Sequence, residues 1–194
     1  MPPRAHSSPS RPWSAGIAVL ALALTASGCL VDVRLAADAS GTLVLRYHLD
    51  DQATLGVVAD RLAGPAVVVR SGRIDAAGVG TFKLAFADLQ ALSSTAMFKN
   101  VSVTRGPGPE PGTTAVVARF VQPKPIRLTP EQLQHYGSEV KVVVTLPGPI
   151  VTTNATTRDG DTLTWVVPLQ ALLTDPETVF SATYRAPGHA SAAG

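Results

Sequence analysis

Cysteine is nearly absent from this sequence, which contains only Cys29 in 194 residues. A single cysteine cannot form an internal disulfide, and it cannot supply the paired thiolates of a structural zinc site. The histidines are scattered, at His6, His48, His135 and His189, without a carboxylate or thiol at ligand spacing. His48 falls in a predicted strand and His135 in a short predicted helix, so we expect them to lie far apart. We therefore expect no metal site and no cofactor.

Catalytic patterns are also lacking. A serine nucleophile requires a strained turn flanked by glycine, and neither "ASG" nor "RSGR" has that pattern. Two pairs of neighbouring carboxylates occur in the sequence. Asp50-Asp51 lies where a helix cap is expected, and Asp159/Asp161 lies where a hairpin turn is expected. These structural roles explain the two pairs better than acid/base catalysis does. "GPGPEPG" lacks a following lysine, and its prolines remove the N–H donors of a phosphate loop. We expect no enzymatic activity and read this segment as an exposed loop.

Apolar runs long enough to span a bilayer, about 20 residues, are missing too. The N-terminus carries Arg4 and Arg11 without an acidic residue and leads into the short apolar run "IAVLALALTA". These are parts of a secretory signal peptide, which we assign to residues 1–28. Its removal leaves 14 of the 16 Lys and Arg against 14 Asp and Glu. A formally neutral chain lacks the charge for nucleic-acid binding, so we expect no such partner.

The lone cysteine directly follows this segment. Ala26-Ser27-Gly28-Cys29 resembles the lipobox of bacterial lipoproteins, although leucine is commonest where this chain has Ala26. In a lipobox the chain is cleaved between Gly28 and Cys29, and the new N-terminal cysteine carries a diacylglyceryl group and acyl chains such as palmitate. The alternative is a secreted protein with an incidental thiol. We predict that Cys29 anchors an extracytoplasmic domain to the cell membrane or the outer membrane.

Strand patterns dominate residues 29–186, which we expect to form a single α+β domain followed by a disordered tail, 187–194. Alternating apolar residues predict about eight to ten mainly antiparallel strands. They include a hairpin of "LVDVRLAAD" with "TLVLRYHL", which begins almost directly after Cys29 and should hold the domain close to its membrane. A second hairpin is predicted over "IVTTNATTRDGDTLTWVV", with its turn near Asp159-Gly160. Trp165 in this hairpin is expected to be buried between sheet and helix.

One segment changes to a helical period. Apolar residues recur at i, i+3, i+4 and i+7, namely Leu55, Val58, Ala59 and Leu62. This period predicts an amphipathic helix over 51–63 that packs on the sheet. Asp50 or Asp51 is expected to cap its start.

Two shorter helical segments are predicted, "DLQALSS" and "RLTPEQLQHYG". In the second, Thr129 is the cap, Pro130 occupies the first helical position and Gln132 completes a capping box. The letters "LQAL" recur after a later strand, and both a duplication and chance explain this.

The order of these features is similar to that of the LppM-like domain of actinobacterial and related lipoproteins. The resemblance covers about residues 29–186. It is carried by the lipobox, the strand pair, the helix and "LPGPIVTTNATTRDGDTLTW", with Pro147-Gly148, Asn154 and Thr164-Trp165 in order. It implies an α+β envelope domain without enzymatic activity and with a lipid- or glycolipid-binding role. Many members end in a transmembrane helix, whereas this chain ends in "APGHASAAG", so the lipid would be its only anchor.

Three functions stay open at this point. The first is a membrane-tethered module that binds a lipid or envelope glycolipid. The second is a structural or assembly protein that binds another envelope protein, and the third, least favoured, is a hydrolase. Because the chain is rich in aliphatic and poor in aromatic residues, we expect an apolar space for an acyl chain between the sheet and helix 51–63. A closed apolar cavity favours the first function and an exposed apolar patch the second.

Overall fold

The computed structural model describes residues 28–50 and 52–187. These residues form eleven strands, three α-helices and one 3₁₀ helix. The strands are β1 (Cys29–Leu35), β2 (Gly41–His48), β3 (Val67–Ile74), β4 (Val79–Phe86), β5 (Val101–Pro107), β6 (Thr113–Val121), β7 (Glu139–Thr145), β8 (Ile150–Thr153), β9 (Thr157–Asp159), β10 (Thr162–Pro168) and β11 (Glu177–Arg185). The helices are α1 (Leu55–Leu62), the 3₁₀ helix (Leu89–Ser94), α2 (Pro130–Tyr136) and α3 (Leu169–Thr174). The predicted signal peptide up to residue 27 and the tail from residue 188 lie outside the described residues.

The strands form two sheets. Sheet A has the order β3-β4-β2-β1-β7-β10-β9, and sheet B has the order β5-β6-β11-β8. Neighbouring strands are antiparallel except β1 and β7, which run parallel with Cys29 opposite Val140. The inner faces of both sheets supply one apolar core. The predicted α+β class, mainly antiparallel, and the first hairpin (β1 with β2) are confirmed.

The predicted strand number of eight to ten was too low, because residues 150–167 form three short strands rather than two. The turn was correct: β9 and β10 form a hairpin around Gly160, whose φ is +55°. However, β8 does not pair with β10 and instead joins β11 in sheet B. Alternation of apolar residues indicates a strand but not the sheet to which it belongs.

Helix α1 begins at Leu55 rather than at residue 51. Its cap is Thr54, whose side chain accepts a hydrogen bond from the Val57 N–H, so the prediction of a cap at Asp50 was wrong. The other predicted cap, Asp51, lies outside the described residues. Asp50 instead starts a turn in which its carbonyl accepts from Ala53 N. The helix packs against the edge strand β3 and buries Val58 and Leu62. No helix among the described residues is long and apolar enough to cross a membrane.

The capping box of α2 is confirmed, since the Thr129 side chain accepts from Gln132 N at 3.3 Å while Gln132 Oε1 accepts from Thr129 N at 2.9 Å. The prediction that "GPGPEPG" lies wholly in a loop was wrong, because its first two residues extend β5 and Pro107 pairs with Thr114. β5 is an edge strand, where the N–H that proline lacks is not required.

Both "LQAL" segments begin a short helix directly after a strand that lies second from an edge of sheet A. The first follows β4 and forms the 3₁₀ helix, and the second follows β10 and forms α3. A duplication would produce this symmetric placement.

Candidate functional site

An apolar cavity of about 480 Å³ lies between the inner faces of the two sheets. Apart from Ser181, every lining residue is aliphatic, aromatic or sulfur-containing. Sheet A contributes Cys29, Val31, Val33, Leu43, Leu45, Tyr47, Val140, Val142, Val144 and Trp165, and sheet B contributes Val101, Val103, Val116, Ala118, Phe120, Phe180, Ser181 and Ala182. The rest comes from connections and short helices: Leu89, Leu92, Met97, Phe98, Leu146, Leu169, Leu172 and Leu173. The volume is within the range typical of small-ligand pockets, about 300–1,000 Å³.

The lining is apolar because strand alternation directs every second side chain inward. In β1 these are Cys29, Val31 and Val33, and in β7 they are Val140, Val142 and Val144. The predicted location between sheet and helix 51–63 was wrong, since no residue of α1 lines the space. The helix packs on β3 at the edge of sheet A, and a second sheet covers the central strands instead.

Exposure of the lining side chains changes along the cavity. In β1, β2, β5, β6 and β11 the lining residues toward one end are half-buried, and those toward the other end are buried. The half-buried set is Cys29, Val31, Tyr47, Val101, Ala118, Phe120 and Phe180; the buried set is Val33, Leu43, Leu45, Val103, Val116 and Ala182. β7 is the exception: Val140, where α3 packs, is buried, whereas Val142 and Val144 farther along the strand are half-buried. The cavity therefore opens at the end where Cys29 lies.

A polar bridge lies beyond the opposite end. Arg105 of β5 donates from Nε to Tyr184 Oη at 3.2 Å, and from Nη2 to the carbonyl of Ala37, in the turn between β1 and β2, at 2.9 Å. Tyr184 is fully buried. The bond to Tyr184 lies within sheet B, and the bond to Ala37 connects the two sheets at the end remote from Cys29.

Cys29, the predicted lipidation residue, lines the cavity at its half-buried end, and Gly28, the other residue of the predicted cleavage site, directly precedes it. Cys29 is the first residue of β1, and burial raises the pKa of its thiol. A Cβ atom on Gly28 would come within 2.6 Å of the Glu139 carbonyl oxygen, so the backbone here runs closely against β7. The fold therefore leaves no flexible spacer between Cys29 and the sheet.

Trp165 forms part of the cavity wall and is 6% exposed. Its predicted burial is confirmed, but the indole lies between the sheets rather than between sheet and helix. The ring meets Phe180 edge to face, with centroids 5.8 Å apart. Its Nε1–H donates to Asn154 Oδ1 at 2.8 Å.

Asn154 connects the two sheets beside this wall. Besides accepting from Trp165 in sheet A, its Oδ1 accepts from Ser181 N, and its Nδ2 donates to the carbonyl of Val179, each at 2.8 Å. Ser181 and Val179 belong to β11 in sheet B. The Asn and Trp of the family-like motif thus form one structural unit, a relation that their spacing in the sequence did not indicate.

Pro147-Gly148, the other part of that motif, lies where β7 leads into β8. A Cβ atom on Gly148 would come within 2.2 Å of the Arg185 carbonyl oxygen, while Arg185 N donates to the carbonyl of Pro149 at 2.8 Å. Glycine lets the chain cross from sheet A to sheet B in direct contact with the end of β11.

The prediction that His48 and His135 lie far apart was wrong, because their ring centroids are 5.2 Å apart. The sequence separation hid this contact, which forms when α2 packs against β2. His48 Nδ1 is buried without a hydrogen-bond partner among the described residues, and Tyr136 Oη donates to Asp50 Oδ1 at 2.5 Å. Within residues 28–50 and 52–187, no group of three potential ligands could hold a metal ion.

Comparison with known proteins identifies the domain. The family model of the LppM domain matches residues 31–185. The NMR structure of the folded domain of Mycobacterium tuberculosis LppM is similar, with 15% sequence identity, a TM-score of 0.48, and coverage of 81% of this chain and 88% of that one. No curated protein matches the sequence significantly. Because the family model spans most of the chain and confirms the resemblance found in the sequence, the protein belongs to the LppM domain family.

Proposed function

We propose that this protein is a lipoprotein of the bacterial cell envelope whose domain binds a lipid acyl chain between its two sheets and performs no catalysis. Membership of the LppM family supports a lipoprotein-like, envelope-associated domain. The observation that carries the binding proposal is the cavity of about 480 Å³ with its hydrocarbon lining. Cys29 lies at its half-buried end.

The chemistry of the lining selects the ligand class. Each CH₂ group transferred from water into such a space contributes about 0.8 kcal/mol. No charged side chain lines the cavity, and an ionised headgroup inside it would lose hydration without gaining a partner. The ligand is therefore an acyl chain whose phosphate or sugar headgroup stays at the mouth, in contact with water.

The anchor is the second part of the proposal. The Cys29 sulfur bonds to the glyceryl carbon of a phospholipid, and the phosphate-bearing headgroup leaves and takes up the thiol proton. Hydrolysis of the Gly28–Cys29 peptide bond then frees the amino group. Cys29→Ala should move the protein from the membrane pellet to the soluble fraction or leave an uncleaved precursor. Cleaved Cys29→Ala protein that still pellets would show that another feature holds it at the membrane.

Trp165 is the only tryptophan after residue 28 and lies on the cavity wall, so its emission reports binding. We expect saturable changes in this emission when the mature chain, residues 29–194 with Cys29→Ser, is titrated with palmitate below micelle formation. Ala118→Phe should abolish the response, because the ring fills the half-buried part of the cavity. Ala115→Phe on the same strand is the matched control, since Ala115 does not line this cavity.

A flat titration together with native mass spectra free of lipid would contradict the lipid-binding proposal. The function as a protein-binding envelope component would then be favoured.

A further inference from the structure

We propose that the occupant of the cavity in the mature protein is its own anchor: one acyl chain attached to Cys29 folds back between the two sheets. This inference rests on the proposed function, because it requires that Cys29 carries lipid and that the cavity accepts an acyl chain. It adds that the cavity is already occupied in the resting protein, so that the attached acyl chain competes with free lipid for this space.

The position of Cys29 provides the first step. Cys29 is itself a lining residue at the half-buried end of the cavity. From there β1 runs inward through Val31 to Val33, which is buried. At about 3.3 Å per residue, this strand provides roughly 13 Å of continuous apolar wall. A chain that begins at the Cys29 sulfur therefore begins at the entrance and has a wall to follow.

The absence of a spacer in the fold provides the second step. Cys29 pairs with β7 opposite Val140, and the next residue, Leu30, pairs with β2 opposite Arg46. The backbone of Gly28 lies so close to the Glu139 carbonyl that a Cβ atom would overlap it. The sulfur consequently cannot swing away from the mouth as it could on a flexible linker. The attached chains lie either in the bilayer directly below the mouth or in the cavity.

The energetics provide the third step. The cavity and the bilayer interior are both apolar, so moving a CH₂ group between them changes the hydrophobic free energy little. A tethered chain reaches the cavity at an effective concentration in the millimolar range. A free lipid monomer must also lose its translational and rotational freedom on binding. The attached chain therefore outcompetes free monomers for the cavity, and its transfer from the bilayer is not opposed by a loss of hydrophobic free energy.

The experiment compares the native lipidated protein in nanodiscs with the mature Cys29→Ser chain, 29–194, mixed with empty nanodiscs of the same ordinary phospholipid. This chain contains all eleven described strands. The probe is a nitroxide-labelled stearate, which quenches Trp165 when it enters the cavity. We expect saturable quenching of the Cys29→Ser chain and an apparent affinity about 10²-fold weaker for the lipidated protein, as competition by a tethered chain predicts. Equal affinities would overturn the inference and leave the proposed lipid binding intact.

If the probe quenches Trp165 emission in neither protein, thermal unfolding of the same two proteins tests whether the attached chain occupies the cavity. An attached chain in the cavity raises the Tm of the lipidated protein above that of the Cys29→Ser chain. Ala118→Phe should remove this difference by filling the cavity, and Ala115→Phe should retain it. A difference that responds in this way supports the inference even if binding of free lipid fails. Equal Tm values, or a difference that survives Ala118→Phe, would overturn it.

Discussion

Asn154 and Trp165 join the two sheets at the wall of the cavity. Asn154 bonds to the indole of Trp165 in sheet A and to the backbone of Val179 and Ser181 in sheet B. The indole also packs against Phe180. These two side chains therefore set the local separation of the sheets and thereby shape the cavity.

Truncation of Trp165 removes this contact from both sheets. Trp165→Ala should lower the free energy of unfolding by about 3–5 kcal/mol, the cost typical of deleting a buried aromatic side chain. Val166→Ala is the control on the same strand: Val166 is 37% exposed, and its loss should change stability by about 0.5 kcal/mol or less. Urea unfolding of both variants measures the difference. A cost below about 1 kcal/mol for Trp165→Ala would contradict the packing role.

Gly148 is required by a close backbone approach rather than by its own conformation. A methyl group there would overlap the Arg185 carbonyl oxygen, so Gly148→Ala should destabilise the fold by at least about 2 kcal/mol. Gly106 of β5 has no atom within 4 Å of the corresponding position. Gly106→Ala should therefore leave the Tm nearly unchanged. Similar Tm values for both variants in calorimetry would show that the β7–β8 crossing relaxes without cost.

Short elements in this fold depend on their partners. Helix α1 has eight residues, too few to be stable alone, and is held by the buried side chains of Val58 and Leu62. Its start was predicted too early because the apolar period identifies the buried face, whereas the first turn depends on which residue caps the helix. Thr54 is the cap, and Asp50 is not. For α2 the local signals at Thr129, Pro130 and Gln132 agreed, and the start was predicted correctly.

Gly56 in α1 is exposed, and a Cβ there would meet no atom within 4 Å. Gly56→Ala should raise the free energy of unfolding by about 0.5–1 kcal/mol, since alanine loses less conformational freedom in a helix. Gly160→Ala provides the contrast. Its position is equally open, but its φ of +55° disfavours a side chain, so this variant should be destabilised. Guanidinium unfolding measures both, and a loss of stability in Gly56→Ala would contradict the structure of α1.

At the scale of the whole molecule, formal neutrality and an apolar cavity agree with the proposed role, in which the domain meets lipid through hydrocarbon rather than through charge. Residues 29–194 carry equal numbers of basic and acidic side chains. The described chain has a single ion pair that meets the distance criterion, Arg119 with Glu177 at 3.1 Å, and both side chains are largely exposed. Such pairs contribute little to stability or to long-range attraction.

The mature Cys29→Ser chain should therefore bind anionic phosphatidylglycerol vesicles no more strongly than neutral phosphatidylcholine vesicles at about 0.15 M salt, where charges are screened beyond roughly 8 Å. Vesicle co-sedimentation measures the bound fraction. A clear preference for anionic vesicles that disappears with added salt would reveal a basic surface patch and contradict this expectation.

The sequence by itself determined the local features. These features depend only on neighbouring residues, because strand alternation and helix capping are short-range effects. They are the single cysteine after a short apolar segment, the alternation of β1, β2 and β7, the capping box of α2 and the turn at Gly160. The family was also evident, because its motif lies in one continuous stretch around Pro147-Gly148 and Asn154.

Only the tertiary structure decided how these elements meet. Alternation shows that a strand has an inner face but not which sheet covers that face. The pairing of β8 in sheet B and the position of the cavity therefore could not be predicted. The contact of His48 with His135 also could not be predicted. The cavity is lined by residues from 29 to 182, brought together by pairings such as β1 with β7 that span more than a hundred residues. Its mouth coincides with Cys29 because β1 begins at that residue and lies at the centre of sheet A, a relation set by strand order and not by any local pattern.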